Sequence, residues 1–165
     1  MNNKISDDTY VALLLTAPLI KGRGNNNEKV KLISPSEFGL LVQLMDKLDI
    51  APSSLLTKEG LDLFLDNLDA RWDKERIESL LDRAFSLSIC IEYWGNHGFF
   101  ILSPFDSRYP GRIKELNKHA PPVLYCCGPV QLLEGGGLSV VGSRSIDDEM
   151  MKFTQGVGTR CASEG

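Results

Sequence analysis

The spacing of apolar residues divides the chain into two regions. Up to about residue 95, apolar positions recur every three or four residues, as in "SDDTYVALLLTA" and "TKEGLDLFLDNL", which predicts helices. The clearest helix start lies in "SPSEFGLLVQLMDKL", where Ser34 is placed to cap, Pro35 occupies the first helical position and Glu37 completes a capping box. The sequence therefore predicts a helical N-terminal domain over residues 1–71.

The longest helical pattern follows that domain, in "DKERIESLLDRAFSLSICIEYWGNHG". Its first half is helical in period, whereas its second half is rich in β-branched and aromatic residues that also suit a strand. We favour one long helix that ends at Gly95 or Gly98, because glycine supplies a left-handed cap without steric cost.

From Gly98 onward the pattern changes to short apolar runs separated by turns. The runs "FFIL", "PPVLYCCG" and "LSVV" predict three buried strands, "RIKELNKH" a short helix, and residues 148–163 a helix capped by Asp147. Strands alternating with helices are typical of a doubly wound parallel sheet. The predicted fold class is α/β, with a helical domain followed over residues 72–165 by the first part of a Rossmann-like parallel sheet. That sheet is incomplete because the strand expected after the last helix is missing, which suggests a piece of a longer protein.

The composition indicates an ordinary globular protein. The 165 residues are 42% hydrophobic and 24% charged, with a formal net charge of −4, as in ordinary globular proteins. Because no apolar run is long enough to span a membrane and no signal peptide begins the chain, we expect a cytoplasmic protein without a membrane partner. The four cysteines form no C-x-x-C pair, so free thiols are expected rather than a metal site. Without a catalytic triad or carboxylate pair, the sequence predicts no enzyme and no cofactor.

The stretch "GGLSVVGSR" carries the best candidate binding site. In a parallel sheet, the loop after a strand meets the N-terminus of the next helix, where backbone N–H groups favour an anion. Gly142 would let the backbone approach, Ser143 could donate a hydrogen bond, and Arg144 could hold a phosphate with two N–H groups. The alternative is a tight turn that carries a surface arginine, and the spacing does not decide between the two.

The sequence offers few basic side chains that could neutralise the phosphates of a nucleic acid. Accessory phosphate contacts are predicted at Arg108, Arg112 and Lys152, and Lys114 is a further basic residue of the same region. The acidic run at residues 147–149 is best explained as a negatively charged first helical turn, although it would repel a phosphate above it. Because affinity for nucleic acid depends on the number of neutralised phosphates, weak binding by this chain alone is expected.

Three ordered motifs resemble the DprA/Smf DNA-processing family. They are Asp-x-x-Tyr-Pro at residues 106–110, Ala-Pro-Pro-Val-Leu-Tyr at 120–125 and Val-Gly-Ser-Arg at 141–144, and the resemblance covers about residues 72–165. It implies a Rossmann-like protein that binds single-stranded DNA, loads the RecA recombinase during natural transformation and forms a homo-oligomer at full length. On this resemblance, Gly142, Ser143 and Arg144 contact a DNA phosphate, while Tyr109 shapes a turn.

Two points remain open beside that resemblance. Tyr109 and Tyr125 could stack on bases, but the sequence favours packing of both in the core. The same loop would also suit a module that senses a nucleotide-derived small molecule, and the acidic composition favours this alternative.

Overall fold

The computed structural model describes residues 5–19, 30–135 and 137–164, which form two compact units. The first unit extends to Glu134 and the second begins at Gly135. The predicted domain limits, 1–71 and 72–165, stay predictions. The described α-helices of the first unit are α1 (Asp7–Thr16), α2 (Pro35–Lys47), α3 (Lys58–Asp66), α4 (Lys74–Leu81), α5 (Ala84–Asn96) and α6 (Gly111–Lys114). Its strands are β1 (Phe100–Leu102) and β2 (Leu124–Cys126), and 3-10 helices occupy Pro52–Leu56, Asn117–His119 and Val130–Leu133. The second unit contains α7 (Asp148–Glu164).

Polar side chains cap the first four α-helices of the first unit. At α2, the Ser34 hydroxyl accepts a hydrogen bond from the Glu37 backbone N–H (3.3 Å), and the Glu37 carboxylate accepts one from the Ser34 N–H (2.7 Å). Ser6, Thr57 and Asp73 accept in the same way at the starts of α1, α3 and α4. These caps satisfy N–H groups that the first helical turn leaves without a partner. The predicted capping box is confirmed.

Helix α1 lies at the centre of the first unit. Residues 11–15 are all completely buried, so this helix is apolar on every side and other elements surround it. One side packs with α2, α3 and α4, in a cluster that includes Phe38, Leu41, Phe64 and Leu80. The other side packs with α5 and β1 through residues such as Leu87. The hydrophobic core therefore forms around the first helix of the chain.

The predicted long helix is interrupted, which corrects the interpretation of that segment as one helix. It consists of α4 and α5, separated at Asp82 and Arg83. The Arg83 guanidinium turns inward and donates hydrogen bonds to the carbonyl oxygens of Leu80, Leu14 and Ala17. These carbonyls lie at the C-terminal ends of α4 and α1, where a cation is stabilised by the helix dipole. The break thus follows from a tertiary contact that sequence periodicity does not contain.

The end of α5 agrees with the prediction of a glycine cap. Gly98 has a φ of 76°, in the left-handed region that glycine adopts without strain. Its N–H donates to the Gly95 carbonyl (3.1 Å), and the Phe99 N–H donates to the Trp94 carbonyl (2.9 Å). This pair of hydrogen bonds is a Schellman motif, which ends the helix and directs the chain into β1.

The sheet differs from the predicted parallel arrangement. Strands β1 and β2 pair antiparallel, with Ile101 opposite Tyr125. A parallel pair needs a crossover connection, usually a helix that packs on the sheet. Here the connection contains only α6 and a 3-10 helix, each about one turn long, so the chain reverses direction instead. Two of the three predicted strands are present, although β2 is partly exposed rather than buried. The described residues do not form a Rossmann-like parallel sheet.

The ion pair between Glu37 and Arg76 makes stability depend on pH. The Arg76 guanidinium donates to the Glu37 carboxylate (3.0 Å) and to the carbonyls of Lys31 and Leu32 (both 2.7 Å). The hydrogen bond from Arg76 is the main cause that lowers the pKa of Glu37 to about 2.

We predict that this pair adds stability above pH 4.5, the ordinary pKa of the carboxyl, and loses it as pH falls towards 2. Urea unfolding should show that the free energy of unfolding of the parent chain is lower at pH 3 than at pH 7. In Glu37→Gln this difference should be smaller by about 1–2 kcal/mol, because the variant lacks the carboxylate at both pH values. An identical pH dependence of the variant and the parent chain would contradict this assignment.

Candidate nucleic-acid interface

The Gly-Ser-Arg loop lies in the second unit and does not follow a strand. Residues 137–141 have no regular structure and Val141 is 93% exposed, so the predicted strand "LSVV" is wrong for the described residues. A buried strand needs neighbours that accept and donate its backbone hydrogen bonds. The described part of this unit offers α7 but no partner strand. Gly136, at the start of the stretch, lies outside the described residues.

The backbone at Gly142 is sterically accessible, and its conformation does not require glycine. Its φ is outside the left-handed region, and a Cβ built at this position would meet no atom within 4 Å. Neither backbone strain nor packing within the chain therefore requires glycine at this position. An unobstructed backbone is what the close approach of a ligand requires.

Ser143 and Arg144 differ in the partners they already have. The Ser143 hydroxyl accepts a hydrogen bond from the Ser145 N–H (3.2 Å), which folds the loop towards α7. The Arg144 side chain is exposed and has no hydrogen-bond or ion-pair partner among the residues the structure describes. Its N–H groups are thus available to an anion, and the planar guanidinium matches phosphate geometry.

The N-terminus of α7 is occupied by the protein's own carboxylates. The Asp147 carboxylate accepts a hydrogen bond from the Met150 N–H (2.8 Å), which confirms the predicted cap. Asp148 and Glu149 place further negative charge in the first turn. A phosphate is consequently disfavoured directly over the helix end. Lys152, also exposed, lies one turn further along the helix.

The two predicted accessory arginines belong to the first unit and have internal partners. Arg108 donates two hydrogen bonds to the Asp106 carboxylate (3.0 and 2.7 Å), which raise the pKa of the guanidinium and lower the pKa of Asp106. The Arg108 guanidinium carbon also lies 5.9 Å from the centre of the Phe100 ring. Arg112 donates to the Leu133 carbonyl (3.1 Å). Both side chains support the local fold, and their phosphate contacts stay predictions.

The Asp-x-x-Tyr-Pro motif forms a turn tied to the strand that follows it. The Asp106 N–H donates to the Ser103 carbonyl (2.9 Å), and the Tyr109 N–H donates to the Asp106 carbonyl (3.0 Å). Tyr109 is only 4% exposed, and its hydroxyl donates to the Pro121 carbonyl (2.8 Å). Burial raises the pKa of this phenol to about 12. The motif therefore connects the turn to the "APPVLY" segment, and Tyr109 is a core residue as predicted.

Tyr125 corrects the prediction that both tyrosines pack in the core. It is 44% exposed, and its ring centre lies 4.9 Å from that of Trp94 in an edge-to-face arrangement. One residue earlier in α5, Tyr93 is 52% exposed and lies 4.1 Å from the His97 ring. Sequence reasoning missed this aromatic group, although "IEYWGNH" signalled it by its density of rings.

The described residues contain no group of three or more His, Cys, Asp and Glu side chains that could hold a metal ion. They also contain no helix long and apolar enough to cross a membrane.

Comparison with known proteins gives one family-model match, in the part of the chain that contains the motifs. Residues 100–165 match the family model described as DNA recombination-mediator protein A. The matched segment contains the Asp-x-x-Tyr-Pro turn, the "APPVLY" segment and the Gly-Ser-Arg loop. The searches of curated proteins and of solved structures gave no match. The resemblance of this part of the chain to the DprA/Smf family is thus confirmed, because residues 100–165 are similar to the family described as DNA recombination-mediator protein A.

Proposed function

We propose that this chain acts in DNA recombination by binding single-stranded DNA through residues 142–144. The observation that carries the proposal is the state of Arg144: within the segment that matches the recombination-mediator family, its guanidinium is exposed and unpaired among the described residues. The open backbone at Gly142 gives a phosphate access to the same loop. Positioning of a strand by phosphate contacts does not depend on its base sequence.

Charge determines how strong this binding should be. The chain carries a net charge of −4, and Arg108 is already paired with Asp106. Few phosphates can then be neutralised, so the affinity should be modest and should fall as salt rises. Lys152 is proposed as a second contact because it is exposed in the same unit.

Removal of the free guanidinium should weaken binding. We predict that Arg144→Ala lowers affinity for a labelled oligo(dT) about tenfold and reduces the slope of log affinity against log salt by about one. Fluorescence anisotropy at several salt concentrations measures both quantities.

Arg160→Ala is the matched control for that measurement. Arg160 is an exposed arginine of the same unit, but its side chain is paired with Glu164 (2.8 Å). This control should bind like the parent chain, and excess mononucleotide should not compete with the oligonucleotide. Equal losses in the two arginine variants would count against a specific role of Arg144, and competition by mononucleotide would favour a nucleotide-sensing function.

We further propose that DNA binding helps to load RecA, and that the full-length protein forms a homo-oligomer. Both follow from the family resemblance. Addition of the chain to RecA and single-stranded DNA coated with a single-strand-binding protein should shorten the lag before RecA begins to hydrolyse ATP. An unchanged lag under conditions where the chain binds DNA would remove RecA loading from the proposal.

A further inference from the structure

The charges that follow the Gly-Ser-Arg loop in the second unit are mostly negative. Between Arg144 and Lys152 the chain carries three carboxylates, at residues 147–149, against these two cations. All five residues are exposed, and the side chains of Arg144, Asp148, Glu149 and Lys152 have no hydrogen-bond or ion-pair partner among the described residues. The unpaired carboxylates therefore act on any anion that the Arg144 guanidinium binds.

The start of α7 does not offset this negative charge. The Asp147 carboxylate already accepts the hydrogen bond of the Met150 N–H (2.8 Å), whereas helix N-termini that bind anions use N–H groups without such a partner. Asp148 and Glu149 lie in the same first turn and are themselves stabilised by the positive end of the helix dipole. The helix therefore does not favour a ligand that carries additional negative charge.

The acidic turn is close enough to Arg144 to act on a bound phosphate. Asp148 and Glu149 follow Arg144 by four and five residues, so their Cα atoms would lie within about 14 and 18 Å of its own even in a fully extended chain. The hydrogen bond from the Ser145 N–H to the Ser143 hydroxyl (3.2 Å) bends the loop between them. Because the Debye length is about 10 Å at 0.1 M salt and about 30 Å at 0.01 M, the repulsion is effective at low salt.

Phosphodiesters and phosphate monoesters differ in charge. A phosphodiester within a strand carries one negative charge. A phosphate monoester, as in a mononucleotide or at a phosphorylated strand end, carries close to two at pH 7, because its second pKa is about 6. A lone guanidinium attracts the dianion more strongly, but the neighbouring carboxylates also repel the dianion more strongly. The acidic turn thus offsets the advantage that a monoester would have at Arg144.

From these observations we infer that Asp148 and Glu149 are specificity-determining residues, which make the loop of Arg144 a site for phosphodiesters within a strand rather than for phosphate monoesters. The inference rests on the proposed function, in which Arg144 holds a phosphate, and it adds which kind of phosphate is bound. The selectivity arises from repulsion of the competing ligand. Mononucleotides and phosphorylated strand ends are then disfavoured at the same loop.

A matched pair of small ligands tests the inference. Thymidine 5′-monophosphate and its monomethyl ester share base and sugar, but the first is a monoester and the second a diester. NMR titration at about 0.01 M salt, followed at the Arg144 Nε–H signal, compares their affinities at this one side chain. We expect the monophosphate to bind the parent chain no more tightly than the methyl ester does. Clearly tighter binding of the monophosphate would overturn the inference.

Substitutions assign the selectivity to the acidic turn. Asp148→Asn and Glu149→Gln should each raise the affinity for the monophosphate relative to the methyl ester about twofold, and the double variant about fourfold, as Coulomb's law gives for charges about 10 Å apart in water. The matched control is Glu164→Gln, which removes one negative charge about 24 Å further along α7. A double variant with the parent's ratio of affinities or without monophosphate binding, or an equal change in Glu164→Gln, would contradict the assignment.

The outcomes distinguish this inference from the proposed function. If oligo(dT) shifts the Arg144 signal while the parent chain prefers the monophosphate, the selectivity is wrong and the phosphate contact stands. If neither oligo(dT) nor the small ligands shift that signal, both fail. Added salt should reduce the difference between the double variant and the parent, because it screens exposed charges. A difference that does not change with salt would show that Asp148 and Glu149 do not act through their charge, and would overturn the inference.

Discussion

Arg83→Met should lower the free energy of unfolding by about 2–4 kcal/mol. The Arg83 guanidinium donates to carbonyl oxygens of Leu14, Ala17 and Leu80, and it thereby connects the ends of two helices. Hydrogen bonds from a charged donor are worth about 1.5–3 kcal/mol each, and partly buried carbonyls that lose a donor add a desolvation cost. Methionine keeps most of the apolar length of the side chain, so the loss reports the guanidinium.

Urea unfolding followed by circular dichroism measures this effect. Arg71→Met is the matched control, because Arg71 is an exposed arginine whose ion pair with Asp69 is open to solvent. Exposed pairs contribute little, so this control should unfold close to the parent midpoint. An Arg83→Met midpoint equal to that of the parent would show that the three carbonyl contacts do not stabilise the helix junction.

Gly60→Ala should also destabilise the first unit, by about 1–3 kcal/mol, through overpacking. A Cβ at this position would overlap the carbonyl oxygen of Ser54 and lie 2.8 Å from its carbonyl carbon. The Gly60 N–H is meanwhile fixed by its hydrogen bond to the Thr57 hydroxyl (3.2 Å). Because the obstacle is backbone, relief requires α3 to move away from the preceding 3-10 helix.

Thermal unfolding of Gly60→Ala and Gly111→Ala provides the comparison. Gly111 lies at the start of α6 with no atom within 4 Å of a Cβ built on it, so alanine should be tolerated there. We expect Gly60→Ala to melt at a lower temperature than the parent chain, and Gly111→Ala to melt at the parent's temperature. Equal melting temperatures of the two variants would mean that the contact with Ser54 relaxes without cost.

The parts of the fold that depend on local chemistry could be predicted from the sequence. The capping box of Ser34 and Glu37, the Asp147 cap and the glycine end of α5 all require groups within a few residues. Two of the short strands were also predictable, because their apolar runs are bounded by prolines and glycines.

The errors concern contacts between distant residues. The break between α4 and α5 depends on Arg83 reaching carbonyls of α1, about 65–70 residues earlier, and no periodicity encodes that contact. The direction of β2 depends on a connection with too little helix for a crossover. The strand predicted at residues 138–141 lacks a partner among the described residues.

The candidate site was predicted in part. The position and chemistry of Arg144 follow from the motif, and the structure adds that this side chain is exposed. The internal pairing of Arg108 with Asp106 could be suspected from their spacing, but its competition with phosphate binding was missed. The exposure of Tyr125 could not be predicted, because it depends on how α5 and the two strands pack together.

The most direct test of the account is the binding of a labelled oligo(dT), compared with a duplex of the same length, over a range of salt concentrations. The proposed function requires an accessible phosphate for Arg144 and a strand whose bases are unpaired. The account predicts a single-strand complex of modest affinity that weakens with a shallow slope as salt rises, and weaker binding of the duplex. An absence of salt-sensitive binding, or equal affinity for the two DNA forms, would contradict it.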